Sequence, residues 1–221
     1  MKIWKFTLLI LCVLTLISIL AFSGCVEERK PAYPMTIVDG VGRTITIPRE
    51  VERIVCLTPS SAEIVFAVGV GSRVVGVAEY TKHPVEAQGI TKIGSYSDLS
   101  LEKIVSLEPH LLFADPYQKQ AVESLERLGL TVVVLNSRDI EQIVSNIALV
   151  GKLLDQEKEA SSLVRTIETK IEAIGAKTTN LKEAEKPRVL YLYEPIWVAG
   201  SGTLADDYIR KAGGEQCGLR H

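Results

Sequence analysis

The sequence has little of the chemistry that builds a metal centre or a disulfide-linked domain. It contains four cysteines but no C-x-x-C motif, so neither a disulfide framework nor a cysteine metal site is predicted. The three histidines, His83, His110 and His221, are far apart and form no i,i+4 pair. A zinc or manganese carrier would need a cluster of histidines and carboxylates. We therefore predict no metal site and no cofactor.

Motifs for nucleotide binding and nucleophilic catalysis are also incomplete. Gly69 and Gly71 lack the third glycine of G-x-G-x-x-G, because Val74 occupies that place, and the glycine-containing loop at 200–203 lacks the P-loop lysine. No serine, histidine and aspartate set or nucleophile elbow is present in the pattern. The net charge of −2, with lysine and arginine spread along the chain, argues against nucleic acid as a partner.

One long apolar run lies at the start of the chain. Two lysines precede residues 6–22, and small residues follow, which is typical of an export signal over residues 1–25. Cys25 after Gly24 resembles a lipobox, whose cysteine is lipidated. An uncleaved membrane anchor remains the alternative. Either alternative places the rest of the chain outside the cytoplasm, tethered to the membrane through a charged segment at 26–34.

The body of the chain is organised around a strand, helix, strand unit near residue 60. The apolar run at 54–57 predicts a buried strand, and 73–77 predicts a second one. A helix is predicted between these two strands. It would begin at Ser60, which forms an S-x-x-E capping box with Glu63. The turn at 58–60 therefore lies at the carboxyl end of a strand, where open α/β sheets bind ligands.

The flanking segments extend this pattern. Residues 35–47 predict a β-hairpin, and repeated strand and helix signals up to residue 135 predict a doubly wound parallel sheet. The predicted helix after Ser100 has an apolar face of four residues. Those residues are Leu101, Ile104, Val105 and Leu107. Two helical stripes follow, one ending near Leu154 and one over 155–176.

A second α/β unit begins after a polar stretch at 177–187. Residues 189–193 predict one strand, and residues 204–212 predict a helix. We therefore expect three parts after the tether: an amino-terminal lobe at 35–154, an interlobe helix at 155–176 and the start of a second lobe at 187–221.

Four segments in this order resemble the periplasmic solute-binding proteins that serve ABC importers of cobalamin and ferric siderophores. They are VDGVGRTITIP, RIVCLTPSSAEIVFAVG, SLEKIVSLEPHLLFA and SGTLADDYIRKAGGE. The resemblance implies an α/β fold with two Rossmann-like lobes bridged by one long helix, and a ligand held between the lobes. Residues 216–221 match nothing expected of the family, so the second lobe is predicted to be incomplete, as in a truncated or frameshifted gene.

The resemblance also implies a ligand-binding cleft lined by loops at strand carboxyl ends. The candidate residues are Pro59, Ser60, Tyr80, Tyr96, Asp115, Tyr117 and Trp197. Aromatic walls suit large, flat ligands because they supply contact area at low entropy cost. The alternatives are that the tyrosines half-bury on their own lobe and that Ser60 is a helix cap.

The family further implies that Glu102 meets an arginine of the membrane permease, although it could be an ordinary solvated charge. We therefore predict a lipid-anchored protein outside the cytoplasm, without enzyme activity. It would deliver a cobalamin or ferric siderophore type of metal chelate to an ABC permease and its ATPase. An exported α/β enzyme or chelatase, and a fragment without function, are the alternatives.

Overall fold

The computed structural model describes residues 32–193 and 197–217. The predicted signal at 1–25, with Cys25, and most of the predicted tether at 26–34 lie outside these residues. The strands are Met35–Val38 (β1), Thr44–Ile47 (β2), Ile54–Cys56 (β3), Val74–Val77 (β4), Leu111–Ala114 (β5), Val132–Val134 (β6), Arg188–Val189 (β7), Leu192–Tyr193 (β8), Trp197–Val198 (β9) and Glu215–Gln216 (β10). The helices are Pro59–Ala67 (α1), Leu101–Ser106 (α2), Lys119–Arg127 (α3), Ile140–Leu154 (α4), Glu157–Thr178 (α5) and Leu204–Lys211 (α6). None of the helices in the described ranges is long and apolar enough to cross a membrane.

The predicted parallel sheet is confirmed. Its strand order is β4-β3-β5-β6, and each neighbouring pair is parallel. Alternate strand residues face opposite sides, so Cys56 and Phe113 pack with α1 and α4, whereas Val55 and Leu112 pack with α2 and α3. Both faces are covered, as the continuous apolar runs predicted.

The predicted hairpin is also confirmed, with β1 and β2 antiparallel and Met35 opposite Ile47. Its turn docks on the edge of the sheet. The Gly40 amide donates to the Val134 carbonyl at 2.8 Å, and the buried Asp39 carboxylate accepts from the Arg43 guanidinium at 2.8 Å. A Cβ atom on Gly40 would lie 2.5 Å from a backbone nitrogen of Asn136. Glycine is therefore required there for close approach of the two backbones.

The start of α1 differs from the prediction. The cap is Thr58, whose Oγ1 accepts from the Ser61 amide at 3.2 Å, and the helix begins at Pro59. Proline is favoured at the first helical position, where its missing N–H leaves no hydrogen bond unmade. The predicted capping role of Ser60 is therefore wrong, and Ser60 is an exposed residue of the first turn.

The helix capped by Ser100 is confirmed, since the Ser100 hydroxyl accepts from the Lys103 amide at 3.3 Å. Its predicted apolar face is partly wrong. Ile104 is fully buried, but Val105 is 42% exposed. A helix of six residues makes fewer than two turns, so only one narrow stripe reaches the core.

Two packed helices follow the sheet. Asp155 ends α4 in the left-handed conformation, with φ of 60°, and the long helix predicted at 155–176 is observed as α5. Gly151 of α4 lies against Ala160 of α5, where an added Cβ would come within 2.3 Å of the Ala160 Cβ. Ala160 is the buried residue of α5, whereas Ile174 near its other end is 48% exposed.

The strand predicted at 189–193 is wrong as a single element. It divides into β7, which pairs in parallel with β10, and β8, which pairs antiparallel with β9. Strand length is set by pairing partners elsewhere in the chain, which an apolar run does not reveal. Gln216, which the sequence pattern matched to nothing expected of the family, takes part in β10.

Candidate functional site

The candidate site lies where the carboxyl ends of neighbouring parallel strands meet. The chain passes from β3 to β4 on one side of it in the sheet, and then to β5 on the other side of β3. The strand order therefore reverses direction between β3 and β5, which makes this a topological switch point. Ligands of open α/β sheets bind at such a switch point. The segments that follow the strands here are residues 58–60 after β3, 115–117 after β5 and 136–138 after β6.

Tyr96 and Asp115 are brought into direct contact at this edge. The Tyr96 hydroxyl donates to Asp115 Oδ1 at 2.8 Å, and the same oxygen accepts from the Tyr117 amide at 2.8 Å. Burial, followed by the hydrogen bond to Asp115 and its negative charge, raises the pKa of Tyr96 well above the usual tyrosine range. The phenol is therefore neutral and oriented, with 43% of the residue exposed.

A cavity of about 570 Å³ opens beside this pair. One wall comes from residues 115–117 and 136–138, and the other from Tyr193 and 201–204. Tyr117, which is 83% exposed, thus faces the same space as Tyr193, which is 49% exposed. Small-molecule sites typically measure about 300–1,000 Å³, so this space is of the size that takes a small ligand.

The predicted site residues divide into two groups. Asp115 and Tyr117 line this cavity, and Tyr96 lines an adjoining one of about 630 Å³ that shares Tyr117. The other predicted residues are outside the linings of both. These are Pro59, Ser60, Tyr80 and Trp197. Tyr80 is 65% exposed in the turn after β4, and Trp197 is 71% exposed on β9.

Several lining residues did not appear among the predicted ones. Asn136, Ser137 and Arg138 come shortly after β6, as Asp115 comes directly after β5. Their position after a strand carboxyl end is the signal that could have identified them. They were not predicted because aromatic side chains were favoured as contacts for a large, flat ligand. Buried Asn146 on α4 fixes this loop, because its Nδ2 donates to the Asn136 carbonyl at 2.7 Å and to Ser137 Oγ at 3.1 Å.

A polar contact beside the cavity joins α6 to the first turn of α4. Asp207 Oδ2 accepts from the Ile140 amide at 2.9 Å, and Lys211 Nζ lies 2.6 Å from Asp207 Oδ1. Burial alone would raise the pKa of Asp207, but the hydrogen bonds from Lys211 and Ile140 lower it below the usual range. The carboxylate is thus held charged at a helix N-terminus, where negative charge is stabilising.

Other parts of the described chain offer less to a ligand. A larger groove of about 930 Å³ is lined by the end of α1, the start of β4 and residues between 83 and 90, and it lies away from the strand carboxyl ends, where open α/β sheets bind ligands. No group of three or more His, Cys, Asp or Glu side chains that could hold a metal ion occurs within 32–193 and 197–217. Cys56 is fully buried, and burial raises the pKa of its thiol to about 12, as suits a core residue.

A family model described as "Periplasmic binding protein" matches residues 54–220. The chain belongs to the periplasmic binding protein family. The matched range includes residues 216–220, which the sequence pattern had set outside the family. The matched range contains β3, the loops that line the cavity and α6.

Three relatives illustrate the membership. An uncharacterized ABC transporter substrate-binding lipoprotein of Bacillus subtilis, YvrC, is 28% identical over 191 residues, covering 83% of this chain and 60% of the relative. A vitamin B12-binding protein of Vibrio vulnificus is 29% identical over 171 residues, covering 75% of this chain and 61% of the relative. The apo structure of the periplasmic heme-binding protein RhuT from Roseiflexus sp. RS-1 superposes with a TM-score of 0.66 at 29% identity, covering 75% of this chain and 65% of that one. The chain therefore spans about 60% of the length of the curated relatives it matches.

Proposed function

We propose that this chain is the extracytoplasmic substrate-binding component of an ABC importer, and that it holds a cobalamin type of metal chelate in the cleft. The observation that carries the proposal is the cavity of about 570 Å³ between Tyr117 and Tyr193 at the strand carboxyl ends. Two relatives, a vitamin B12-binding protein and a heme-binding protein, support the ligand class. The relatives are binding proteins, and we propose that this chain likewise binds without catalysis.

The side chains around the cavity suit a large ring ligand with polar substituents. Exposed tyrosines provide flat apolar contact at a low cost in side-chain entropy. Asn136, Ser137 and Arg138 provide hydrogen-bond donors, and Asp115 on the same wall provides an acceptor. A corrinoid carries amide groups around its rim, which match donors and acceptors together. A ferric siderophore is the second candidate, because its polar rim would meet the same groups.

Titration calorimetry of the full 221-residue chain in detergent tests the ligand class. We expect cyanocobalamin to bind, and Tyr117→Ala to weaken binding about tenfold through loss of ring contact. Val85→Ala, which removes an exposed side chain away from the cavity, is the matched control. Binding of a ferric hydroxamate alone would transfer the proposal to siderophores. Binding of neither probe would refute the metal-chelate class for this chain.

The remaining predicted site residues extend the proposal beyond the cavity lining. We infer that Pro59, Ser60, Tyr80, Tyr96 and Trp197 contact the outer parts of a ligand larger than the space between Tyr117 and Tyr193. Tyr80→Ala tests the side of the cleft formed by the first lobe, and Trp197→Ala tests the side formed by the second lobe, in the same titration. A loss of affinity for only one of them would restrict the ligand to that side.

Glu102 is proposed as a contact for the permease. It is exposed in the first turn of α2 and lines neither of the two cavities. Charge pairs of this kind set orientation and association rate more than affinity. We expect Glu102→Lys to reduce uptake in cells while cyanocobalamin affinity is unchanged, whereas Glu123→Lys on α3 leaves uptake intact. Equal uptake by both variants would remove Glu102 from the docking surface.

Cys25 is proposed as the site of lipidation, with anchoring to the outer face of the cell membrane. Its position after the apolar run and the word lipoprotein in the name of one relative support this. Metabolic labelling with a fatty-acid analogue should label the wild-type chain and not Cys25→Ser. Labelling of both would assign the lipid to another residue.

A further inference from the structure

We propose that Gln118 is the positioning residue of the cleft, and that it holds Tyr96 and Asp115 in the orientation in which a ligand meets them. This inference rests on the proposed binding function for its consequence, but not for its geometry. Gln118 is 5% exposed, and it lines the adjoining cavity of Tyr96 but not the one between Tyr117 and Tyr193. Its side-chain amide is occupied by three hydrogen bonds within the protein, so it would act on the ligand through other residues.

The Gln118 amide connects three segments at the strand carboxyl ends. Its Nε2 donates to the carbonyl of Leu57, at the end of β3, at 3.2 Å and to the carbonyl of Tyr96 at 3.3 Å. Its Oε1 accepts from the Asp115 amide at 3.1 Å. Both amide hydrogens face carbonyls and the oxygen faces an N–H, so only this orientation of the side chain satisfies all three partners.

Tyr96 is consequently held at both of its ends. Gln118 binds its backbone carbonyl, and Asp115 accepts its phenolic hydrogen. Gln118 and Asp115 belong to the same turn, where they form a capping box. The turn after β5 therefore fixes the backbone and the side chain of Tyr96 together.

The loop that carries Tyr96 depends on these bonds. Its base is fixed where the Ser100 amide donates to the Ile93 carbonyl at 2.9 Å and where the Glu79 amide donates to the Gly94 carbonyl at 2.8 Å. Across the loop, the Ser95 amide donates to the Asp98 carbonyl at 3.1 Å. Because Tyr96 lies between Ser95 and Asp98, loss of the Gln118 bond frees the tip while the base stays in place.

The first test needs no ligand. In the full chain, Gln118→Leu removes all three bonds, and hydrogen exchange at the Ser95 amide should become about tenfold faster or more. The Ala160 amide on α5, which donates to the Gln156 carbonyl at 2.9 Å, reports global stability and should change much less. Gln120→Leu, an exposed position on α3, is the matched control. Unchanged Ser95 exchange in folded Gln118→Leu overturns the proposal.

A second variant separates positioning from simple packing. Gln118→Glu has nearly the same shape, but its carboxylate cannot donate to the carbonyls of Leu57 and Tyr96. Protonation restores one donor, so the Ser95 exchange rate, relative to wild type at each pH, should recover as the pH falls. Absence of this recovery would also overturn the proposal, and this variant decides the question alone if Gln118→Leu does not fold.

A binding experiment with cyanocobalamin tests the consequence for the ligand, through a double-mutant cycle of Tyr96 and Gln118. Tyr96→Phe should weaken binding in the wild-type background and have little further effect in Gln118→Leu, because Tyr96 is already misplaced there. Additive losses would show that Gln118 does not act through Tyr96. If the wild-type chain does not bind cyanocobalamin, the proposed ligand fails, whereas the exchange measurements still decide the positioning role.

Discussion

Two regions of this molecule begin with the same local pattern and reach very different degrees of burial. In the amino-terminal region, β3, α1 and β4 form a parallel strand, helix, strand unit, and every residue of β3 is fully buried. In the second region, β7 and β10 again pair in parallel with α6 between them in the chain, although the β8-β9 hairpin follows β7, and β7 is only partly covered. The difference lies in the layers around the unit.

The amino-terminal strands are covered on both faces, by α1 and α4 on one and by α2 and α3 on the other. In the second region, large apolar side chains stay exposed in the described residues. They include Leu190 at 53%, Leu192 at 61%, Tyr193 at 49% and Val198 at 38%. Local sequence thus specifies the unit, whereas burial depends on what packs against it.

Matched leucines give the sharpest test of this contrast. Leu112→Ala on β5 removes a fully buried side chain and should lower the free energy of unfolding by about 2–5 kcal/mol. Leu192→Ala on β8 removes a side chain that is 61% exposed and should cost about 0.5 kcal/mol or less. Urea unfolding of the full chain measures both. A large loss for Leu192→Ala would mean that its surface is covered in solution.

The second largest expected effect is the loss of stability when a glycine at a close backbone contact is replaced, and two glycines, one in each region, test it. Gly40→Ala would place a Cβ 2.5 Å from the Asn136 nitrogen and 2.9 Å from the Val134 oxygen, both backbone atoms. The turn must move off the sheet edge, at a cost of about 1–3 kcal/mol in unfolding free energy. Gly200→Ala, in the second region, meets nothing within 4 Å and should be nearly neutral. Equal stability of the two variants in thermal unfolding would show that the hairpin turn is not tightly docked.

The sequence was most informative where the structure is local. The hairpin, the α/β alternation and the helix after Ser100 follow from turn residues, apolar periodicity and caps that lie within a few residues of one another. The start of α1 was misplaced because Thr58 and Ser60 both suit a cap, and the preference of Pro59 for the first helical position decides between them.

The candidate site was predicted less completely, for two physical reasons. The cavity is formed by residues far apart in the chain, such as Tyr117 and Tyr193, so no motif contains it. Its fixing residues, Gln118 and Asn146, are ordinary helix-forming positions in the sequence. Their role comes from burial beside carbonyls of other segments, which is known only once the strands are ordered.

The contact between the two regions offers a smaller, pH-dependent effect. Asp207→Ala removes the acceptor for the Ile140 amide, and we expect a loss of about 1 kcal/mol at neutral pH. Because the pKa of Asp207 is lowered on folding, its contribution is present above the unfolded value of about 3.9 and is lost as the pH falls through the lower folded value. In urea unfolding, the free energies of unfolding of the wild-type chain and of Asp207→Ala should therefore differ at neutral pH and become equal in acid. Gly200→Ala, elsewhere in the second region, removes no ionisable group and should give no such convergence.

The smallest expected effect on stability at neutral pH concerns the pKa of one tyrosine in each region, Tyr96 and Tyr208. Burial and the hydrogen bond to Asp115 raise the pKa of Tyr96, whereas burial and the charge of Asp207 raise that of Tyr208. A raised pKa means that the folded state holds the phenolic proton more tightly. The stabilisation is therefore complete below the unfolded value of about 10 and is lost as the pH rises towards the folded one.

We expect Asp115→Asn to lower the pKa of Tyr96 towards the usual tyrosine range, because the negative charge beside the phenol is removed. Tyr208 should titrate as before, since its pKa depends on Asp207 and on burial in the second region. Ultraviolet difference titration of the full chain follows both phenols, with Tyr96→Phe and Tyr208→Phe to assign them. A shift of Tyr208 in Asp115→Asn would show that the two regions are coupled through the cleft. An unchanged pKa of Tyr96 would show instead that burial, and not the charge of Asp115, raises it.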